Sequence, residues 1–202
     1  MTAGKLFIIS GPSAVGKGTI VKRITDSDEN IRVSVSATTR EPREGETEGV
    51  SYYFMTDGEF QKSVKEGGFL EHASVHGHYY GTPKEPVMSQ LEEGHDVILE
   101  IDVQGAMQVK ESCPEGVFIF ILPPSLDELR SRILHRGTES QEDIEIRMNA
   151  AEKELEYLPH YDYCVVNEDL DKAVESVKKI METVHWKVDD AAGILKRIKG
   201  EK

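Results

Sequence analysis

Leu6-Phe7-Ile8-Ile9-Ser10-Gly11-Pro12-Ser13-Ala14-Val15-Gly16-Lys17-Gly18-Thr19 is an apolar run that breaks into a glycine-bearing loop and passes into a helix-like segment, Lys17 to Ile24. Residues 5 to 10 predict a buried parallel strand, because such strands are covered on both faces and read as continuous apolar runs. Gly11 and Gly16 let the backbone curl without Cβ clashes, so that successive N–H groups and the helix N-terminus point at one anionic centre. The stretch reads as a phosphate-binding loop. Lys17 supplies a full positive charge to the outer phosphates of a nucleoside triphosphate, and Thr19 offers a hydroxyl to a phosphate-bound Mg²⁺. Gly18 stands where the usual G-x-x-x-x-G-K-[ST] spacing has its hydroxyl, with Thr19 one residue later.

Outward from this loop, four further strands are predicted at Ile31 to Val35, Val97 to Ile101, Val117 to Leu122 and Tyr163 to Val166. Helices are predicted at Val103 to Glu111, Leu126 to His135 and Leu170 to Val184. The last carries Leu170, Ala173, Val174, Val177, Ile180, Met181 and Val184 on one stripe. Alternating strands and helices imply an α/β fold with a parallel sheet covered on both faces. Residues 36 to 90 break the rhythm with a polar loop, the aromatic strand Ser51 to Phe54, a short helix, and strand-like pieces at Phe69 to Val75 and His78 to Tyr80. Gly81-Thr82-Pro83 is expected to turn into a further helix. A second excursion starts at Arg136-Gly137-Thr138, and the helix after it carries the stripe Ile144, Met148, Ala151, Leu155 and Leu158, with Arg147 off the stripe.

The 202 residues suffice for one good core, and the net charge of −13 argues against nucleic acid or an anionic membrane as main partner. Anionic ligands must be held by local basic pockets. Cys113 and Cys164 match no metal spacing and suggest reduced thiols in the cytoplasm. The N-terminal segment fits neither a secretion signal nor a transit peptide, and no apolar stretch approaches membrane-spanning length.

A phosphate loop alone is shared by GTPases, ATPases, transporters and kinases. Asp102, at the end of an apolar strand, places a carboxylate beside the loop for Mg²⁺, and Asp102-Val103-Gln104-Gly105 imitates the D-x-x-G element of GTPases. No N-K-x-D follows, which argues against that class. Arg40 and Arg43 lie in a proline-bearing loop and could fork a second phosphate. Arg132 and Arg136 are four apart on one helix, where like charges repel unless an anion lies between them; the plain alternative is a solvated face, with Glu128 pairing Arg132 and Asp143 pairing Arg147. Together the arginines favour a site for two phosphorylated molecules. His72, His76 and His78 do not make a metal site in extended chain, since the first two would lie about 13 Å apart.

Gly11-Pro12-Ser13-x-x-Gly16-Lys17-Gly18-Thr19, Ser36-Ala37-Thr38-Thr39-Arg40-x-Pro42-Arg43-x-Gly45-Glu46, Gly77-x-Tyr79-Tyr80-Gly81, Glu100-Ile101-Asp102-x-Gln104-Gly105 and Arg136-Gly137-Thr138 follow one another over nearly the whole chain. In this the sequence resembles the guanylate kinase family, in which the Lys-Gly-Thr form of the loop is normal. The resemblance implies a P-loop NTPase-like core with a five-stranded parallel sheet flanked by helices (residues 1–35, 91–130 and 158–202). It adds an inserted mixed α+β GMP-binding lobe (36–90) and a helical lid (131–157), all in one domain, 1–202. It implies transfer of the γ-phosphoryl group of ATP to GMP with Mg²⁺ held near Thr19 and Asp102, as part of purine nucleotide metabolism. ATP is assigned to Gly11 through Thr19 and Asn167; GMP to Ser36, Arg40, Arg43, Tyr52, Glu71, Tyr80, Thr82 and Asp102; and charge stabilisation to Lys17, Arg40, Arg132, Arg136 and Arg147. Glu71 suits guanine, because an acceptor-only carboxylate takes hydrogen bonds from N1–H and the exocyclic amine, an arrangement adenine does not offer. A non-catalytic peptide-binding module with the same fold and a kinase for another monophosphate are the competing readings. The intact Lys17, Asp102 and lid arginines argue against the first, and Glu71 with Ser36 and Thr82 against the second. The use of dGMP, monomer against homo-oligomer, and the role of the tail from Trp186 to Lys202 are left open by the sequence.

Overall fold

The apolar run forms β1 (Leu6–Ser10), buried at all five positions. It is the middle strand of an all-parallel sheet in the order β2 (Ile31–Val33), β7 (Asp96–Glu100), β1, β8 (Val117–Leu122), β9 (Tyr163–Val166). The structure is a computed structural model that describes residues 3–75, 77–134, 141–188, 191, 195, 198 and 199. The expected five-stranded α/β sheet is the one observed; β1 starts one residue later than expected, at Leu6, and β2 ends two residues earlier, at Val33.

Alternation along β1 divides the core into two layers, as the period of a strand requires. Phe7 and Ile9 face α1 (Lys17–Ser27) and α7 (Leu170–Val184), packing with Ile20, Ile24, Val177 and Met181. Leu6 and Ile8 face the opposite layer, with Val87 of α3 (Lys84–Glu92) and Ala106 and Val109 of α4 (Val103–Ser112). Completely burying each large aliphatic side chain contributes about 1.5–3 kcal/mol, so these two layers dominate the stability of the sheet. A third cluster joins Leu129 and Ile133 of α5 (Leu126–Leu134) to Ile144, Met148 and Ala151 of α6 (Gln141–Leu155), with Ala14 of the phosphate loop packed on it.

Residues 37 to 83 contain a second, mixed sheet in the order β4 (Tyr53–Phe54), β3 (Ala37–Thr38), β6 (His78–Pro83), β5 (Phe69–Val75). The helix α2 (Asp57–Lys65) covers it through Phe60, which is fully buried and stacks on Phe69 and Tyr79 at 4.4 and 5.4 Å. Gly81-Thr82-Pro83 is not the expected turn but the last part of β6. Thr82 and Gly81 pair with Glu71 and His72 across the hairpin, and a Cβ on Gly81 would lie 2.8 Å from the Glu71 carbonyl oxygen. Close strand pairing therefore overrides the local turn signal. Among the described residues no helix is long and apolar enough to cross a membrane. Cys113 is buried and Cys164 exposed, both as free thiols.

Candidate active site

The loop after β1 lies at the carboxyl end of the parallel strands, where open α/β sheets bind their ligands. Gly11 and Gly16 adopt φ of 146° and 99°, and Ala14, with φ 65°, is the one described non-glycine residue in the left-handed region. Such a conformation costs about 1 kcal/mol or more for a residue with a Cβ. Ala14 is held there by its packing against α5 and α6. Gly16 is the N-cap of α1, and its lack of a side chain is required, since a Cβ would meet Asn167 Nδ2 at 2.6 Å. That amide donates to Val15 O at 2.8 Å and fastens the loop to the end of β9.

The predicted cations converge on this loop. Lys17 Nζ donates to Gly11 O and Pro12 O at 2.5 and 3.1 Å. Arg132 of α5 donates to Asn167 O at 2.9 Å and to Val15 O at 3.5 Å, and pairs through Nε with Glu128 at 2.9 Å, the pairing foreseen from the helical spacing. Arg147 of α6 donates to Ser13 Oγ at 2.8 Å. Arg136 and His76 lie outside the described residues.

Two carboxylates belong to the same place and were not singled out by sequence reasoning. Glu100 ends β7 and lines the concavity formed by Ser13 to Thr19; a Cβ on Gly18 would lie 3.3 Å from its Oε1. Burial raises the pKa of this carboxyl, against the opposing charge of Lys17. Glu154 lies two helical turns after Arg147, on the same side of α6. Burial raises its pKa too, opposed by Lys17 and by a hydrogen bond from the Ser13 N–H, while Asp102 reinforces the rise. A charged residue interrupting an apolar strand end, and a seven-residue spacing from Arg147, are the signals that would have found them.

Glu71 and Thr82 form a second focus, on adjacent strands. Both are buried, and Thr82 Oγ1 donates to Glu71 Oε1 at 2.7 Å. Burial raises the Glu71 pKa; the Thr82 hydroxyl opposes this and the nearby Asp102 adds to it. Asp102 N-caps α4, accepting from Gly105 N at 2.8 Å, and its charge acts both on Glu71 and on Glu154, which accepts from the Ser13 N–H of the phosphate loop. Ser36 precedes β3, and its carbonyl accepts from Tyr53 N at 2.9 Å.

The third focus is basic and aromatic. Arg40 is held by Glu46, with NH2 2.8 and 3.0 Å from the two carboxylate oxygens, and its guanidinium lies 5.6 Å from the centre of the Tyr52 ring. Tyr52 meets Tyr80 edge to face at 6.2 Å. Glu46 also accepts from Arg43 N at 2.8 Å; the Arg40 guanidinium first, and then this N–H, hold its carboxyl below the usual range. Arg43 itself is exposed. Among the described residues no cluster of histidine, cysteine and carboxylate side chains could hold a metal.

A phosphate loop at the carboxyl end of the central strand of a five-stranded parallel sheet, with arginines from neighbouring helices turned onto it, defines a phosphate-loop α/β protein. The guanylate kinase family model matches residues 3–184. A guanylate kinase of Caldanaerobacter subterraneus subsp. tengcongensis is 52% identical over 198 residues, covering 98% of this chain and 96% of the relative. One of Clostridium tetani is 52% identical over 189 residues, covering 94% and 90%. The crystal structure of guanylate kinase from Anaplasma phagocytophilum superposes with a TM-score of 0.74 at 32% identity, covering 96% of this chain and 95% of that one. The chain belongs to the guanylate kinase family.

Proposed function

We propose that the protein transfers the γ-phosphoryl group of ATP to GMP, giving ADP and GDP, as a cytoplasmic enzyme of purine nucleotide metabolism. The observation that carries this reading is the buried Glu71–Thr82 pair, with Asp102 acting electrostatically both on Glu71 and on Glu154, the carboxylate that accepts from the phosphate loop. A buried carboxylate with a hydroxyl beside it matches guanine, and a base that leaves such groups unpaired is rejected strongly. Arg40, Arg43, Tyr52 and Tyr80 hold the monophosphate, with Ser36 and Thr82 on the base. Residues Gly11 to Thr19 hold the ATP phosphates, with Asn167 on the adenine side.

The substrate supplies its own nucleophile. A phosphate monoester with a second pKa of about 6 is largely dianionic at neutral pH, so no general base is required. The protein has to align two anions, screen charge on the moving phosphoryl and exclude water. Lys17, Arg40, Arg132, Arg136 and Arg147 do the screening. The donor set fits Mg²⁺: an exposed Thr19 hydroxyl in the first turn of α1 and the carboxylates of Asp102 and Glu100 are hard oxygen ligands. Thr19 and Asp102 would hold the ion, with Glu100 beside them; when bound it neutralises phosphate charge. The 36–90 lobe and the 131–157 lid close over the core when both nucleotides are present, which protects ATP from hydrolysis. Small-angle scattering tests that closure: the radius of gyration falls on adding GMP with a non-hydrolysable ATP analogue, and an unchanged value would sink it.

The deciding experiment is product analysis with Mg²⁺, ATP and GMP, dGMP or AMP, using Lys17→Ala as control. GDP and ADP formed together from GMP, not from AMP, and lost in the control, is the expected result. Turnover of AMP instead would move the assignment to another monophosphate, and GMP binding without any turnover would favour a peptide-binding module.

A further inference from the structure

One helix brackets Glu71 along the chain. The strand β5 is the edge of its sheet, so one row of its backbone groups has no neighbouring strand. Gln108 of α4 takes that place at a single residue: its Nε2 donates to His72 O and its Oε1 accepts from His72 N, both at 3.1 Å. On the other flank, Ser112 Oγ lies 3.5 Å from Leu70 O, at the limit of a hydrogen bond. Between them Gly105 makes room, since a Cβ there would lie 3.0 Å from Glu71 Oε2. Gly105, Gln108 and Ser112 succeed one another at spacings of three and four and therefore share one face of α4. The pairing of β5 with β6 also shifts register between Phe69 and Glu71, a bulge that re-aims the side chain after it.

We propose that Gln108 is a positioning residue for base selection: by clamping the backbone of His72 it sets where the Glu71 carboxylate sits over the first turn of α4. The proposal rests on Glu71 reading guanine. A carboxylate that accepts from N1–H and the exocyclic amine together must keep two oxygens in register with two donors. Hydrogen bonds weaken steeply with misalignment, so a loosened strand loses the second of them first. Hypoxanthine, the base of IMP, offers the N1–H without the amine. Loosening β5 therefore penalises GMP more than IMP and leaves the phosphate-loop end of the site as it was.

Steady-state kinetics on the full chain test this with Gln108→Met, which keeps the side-chain length and removes both hydrogen bonds from a half-exposed position. KM for GMP is expected to rise about 5- to 10-fold, the worth of one to two neutral hydrogen bonds, with kcat within about 2-fold. KM for ATP should stay unchanged, and the GMP-over-IMP ratio of kcat/KM should fall with the rise in KM for GMP. Gly105→Ala, which pushes on the same carboxylate from the other side, should narrow the same ratio. An unchanged ratio in Gln108→Met, or equal losses with GMP, IMP and ATP, would overturn the proposal and leave Gln108 as packing. Glu71→Gln separates the two levels: if it abolishes the GMP preference while Gln108→Met leaves the ratio unchanged, the positioning role fails alone. If Glu71→Gln leaves the preference intact, the guanine reading of Glu71 fails, and the proposal with it.

Discussion

Glu71 has exchanged most of its water for a threonine hydroxyl, and its protonation is where chemistry and stability meet. Burial raises its pKa above the ordinary 4.5 and outweighs the Thr82 hydrogen bond. The folded protein thus holds this proton to a higher pH than the unfolded chain. The associated stability is complete below about 4.5 and is lost as pH rises through the folded value. Binding of guanine runs the other way, because a protonated carboxyl gives up one of its two acceptor positions. KM for GMP is expected to climb as pH falls through a range above 4.5. The Glu71→Gln variant should lack that limb while keeping the titration of the substrate phosphate near about 6. Superimposable profiles of KM against pH for the two proteins would contradict this. Glu154 follows the same sign: burial raises its pKa, so its ionised form is the costly one. Glutamine there keeps an acceptor for the Ser13 N–H and removes the charge. Melting temperatures of Glu154→Gln and the unmodified protein are expected to diverge in favour of the variant as pH rises from 5 to 8; a constant difference would show that the carboxyl titrates as in water. At this scale the sequence shows side-chain chemistry and hides burial. Lys17 is legible because its neighbours in the chain define its role, whereas Glu71 taken alone reads as a surface carboxylate and Glu154 as one of many helix charges.

Elements differ in how much of their cause is local. The helix α2 is almost wholly local: Thr56 Oγ1 accepts from Glu59 N at 3.3 Å, Glu59 Oε2 accepts from Thr56 N at 2.8 Å, and Asp57 and Glu59 complement the helix dipole while Lys62 and Lys65 lie in the last turn. Removing such a cap costs about 0.5–2 kcal/mol. In a chain of this size about 1 kcal/mol shifts the melting temperature by roughly 2–4 °C. Thr56→Ala should therefore melt a few degrees lower, and Thr56→Ser should melt near the unmodified protein; equal melting of all three would mean that α2 is held by Phe60 alone. The five core strands were legible for a related reason, since an apolar run bounded by turn residues is a local signal. β4 lies within the expected aromatic strand, but the two-residue β3 was not legible, because Ala37↔Tyr53 and Thr38↔Phe54 pair residues sixteen positions apart and nothing in Ala37-Thr38 announces the partner. The end of β6 misled for the same reason: Gly81-Thr82-Pro83 carries turn chemistry, and only contact with Glu71 and His72 makes it extended.

Across the whole molecule the parallel sheet separates chemistry from anchorage. The phosphate loop follows the carboxyl end of β1, Asp102 that of β7 and Asn167 that of β9, whereas the amino ends are tied by a buried carboxylate. Asp96, the first residue of β7, is 6% exposed; its Oδ1 accepts from Lys5 N at 2.8 Å and its Oδ2 lies 2.8 Å from His185 Nε2 at the C-cap of α7. One side chain therefore joins the entry to the central strand, the neighbouring strand and the end of the last long helix. Asp96→Ala would leave the Lys5 N–H without its acceptor and release the end of α7. An unsatisfied buried donor costs about 1–3 kcal/mol, which for this chain is a fall in melting temperature of roughly 2–12 °C. The phosphate loop and the Glu71 pocket lie at the far end of the strands, so kcat and both KM values, measured well below the melting transition, should stay within about 2-fold, since sites without shared partners contribute independently. A variant that kept its melting temperature would show Asp96 to be a solvated surface group. One that melted normally and lost activity would show that the amino ends of the strands are coupled to the site, contrary to the division of labour that the sheet implies.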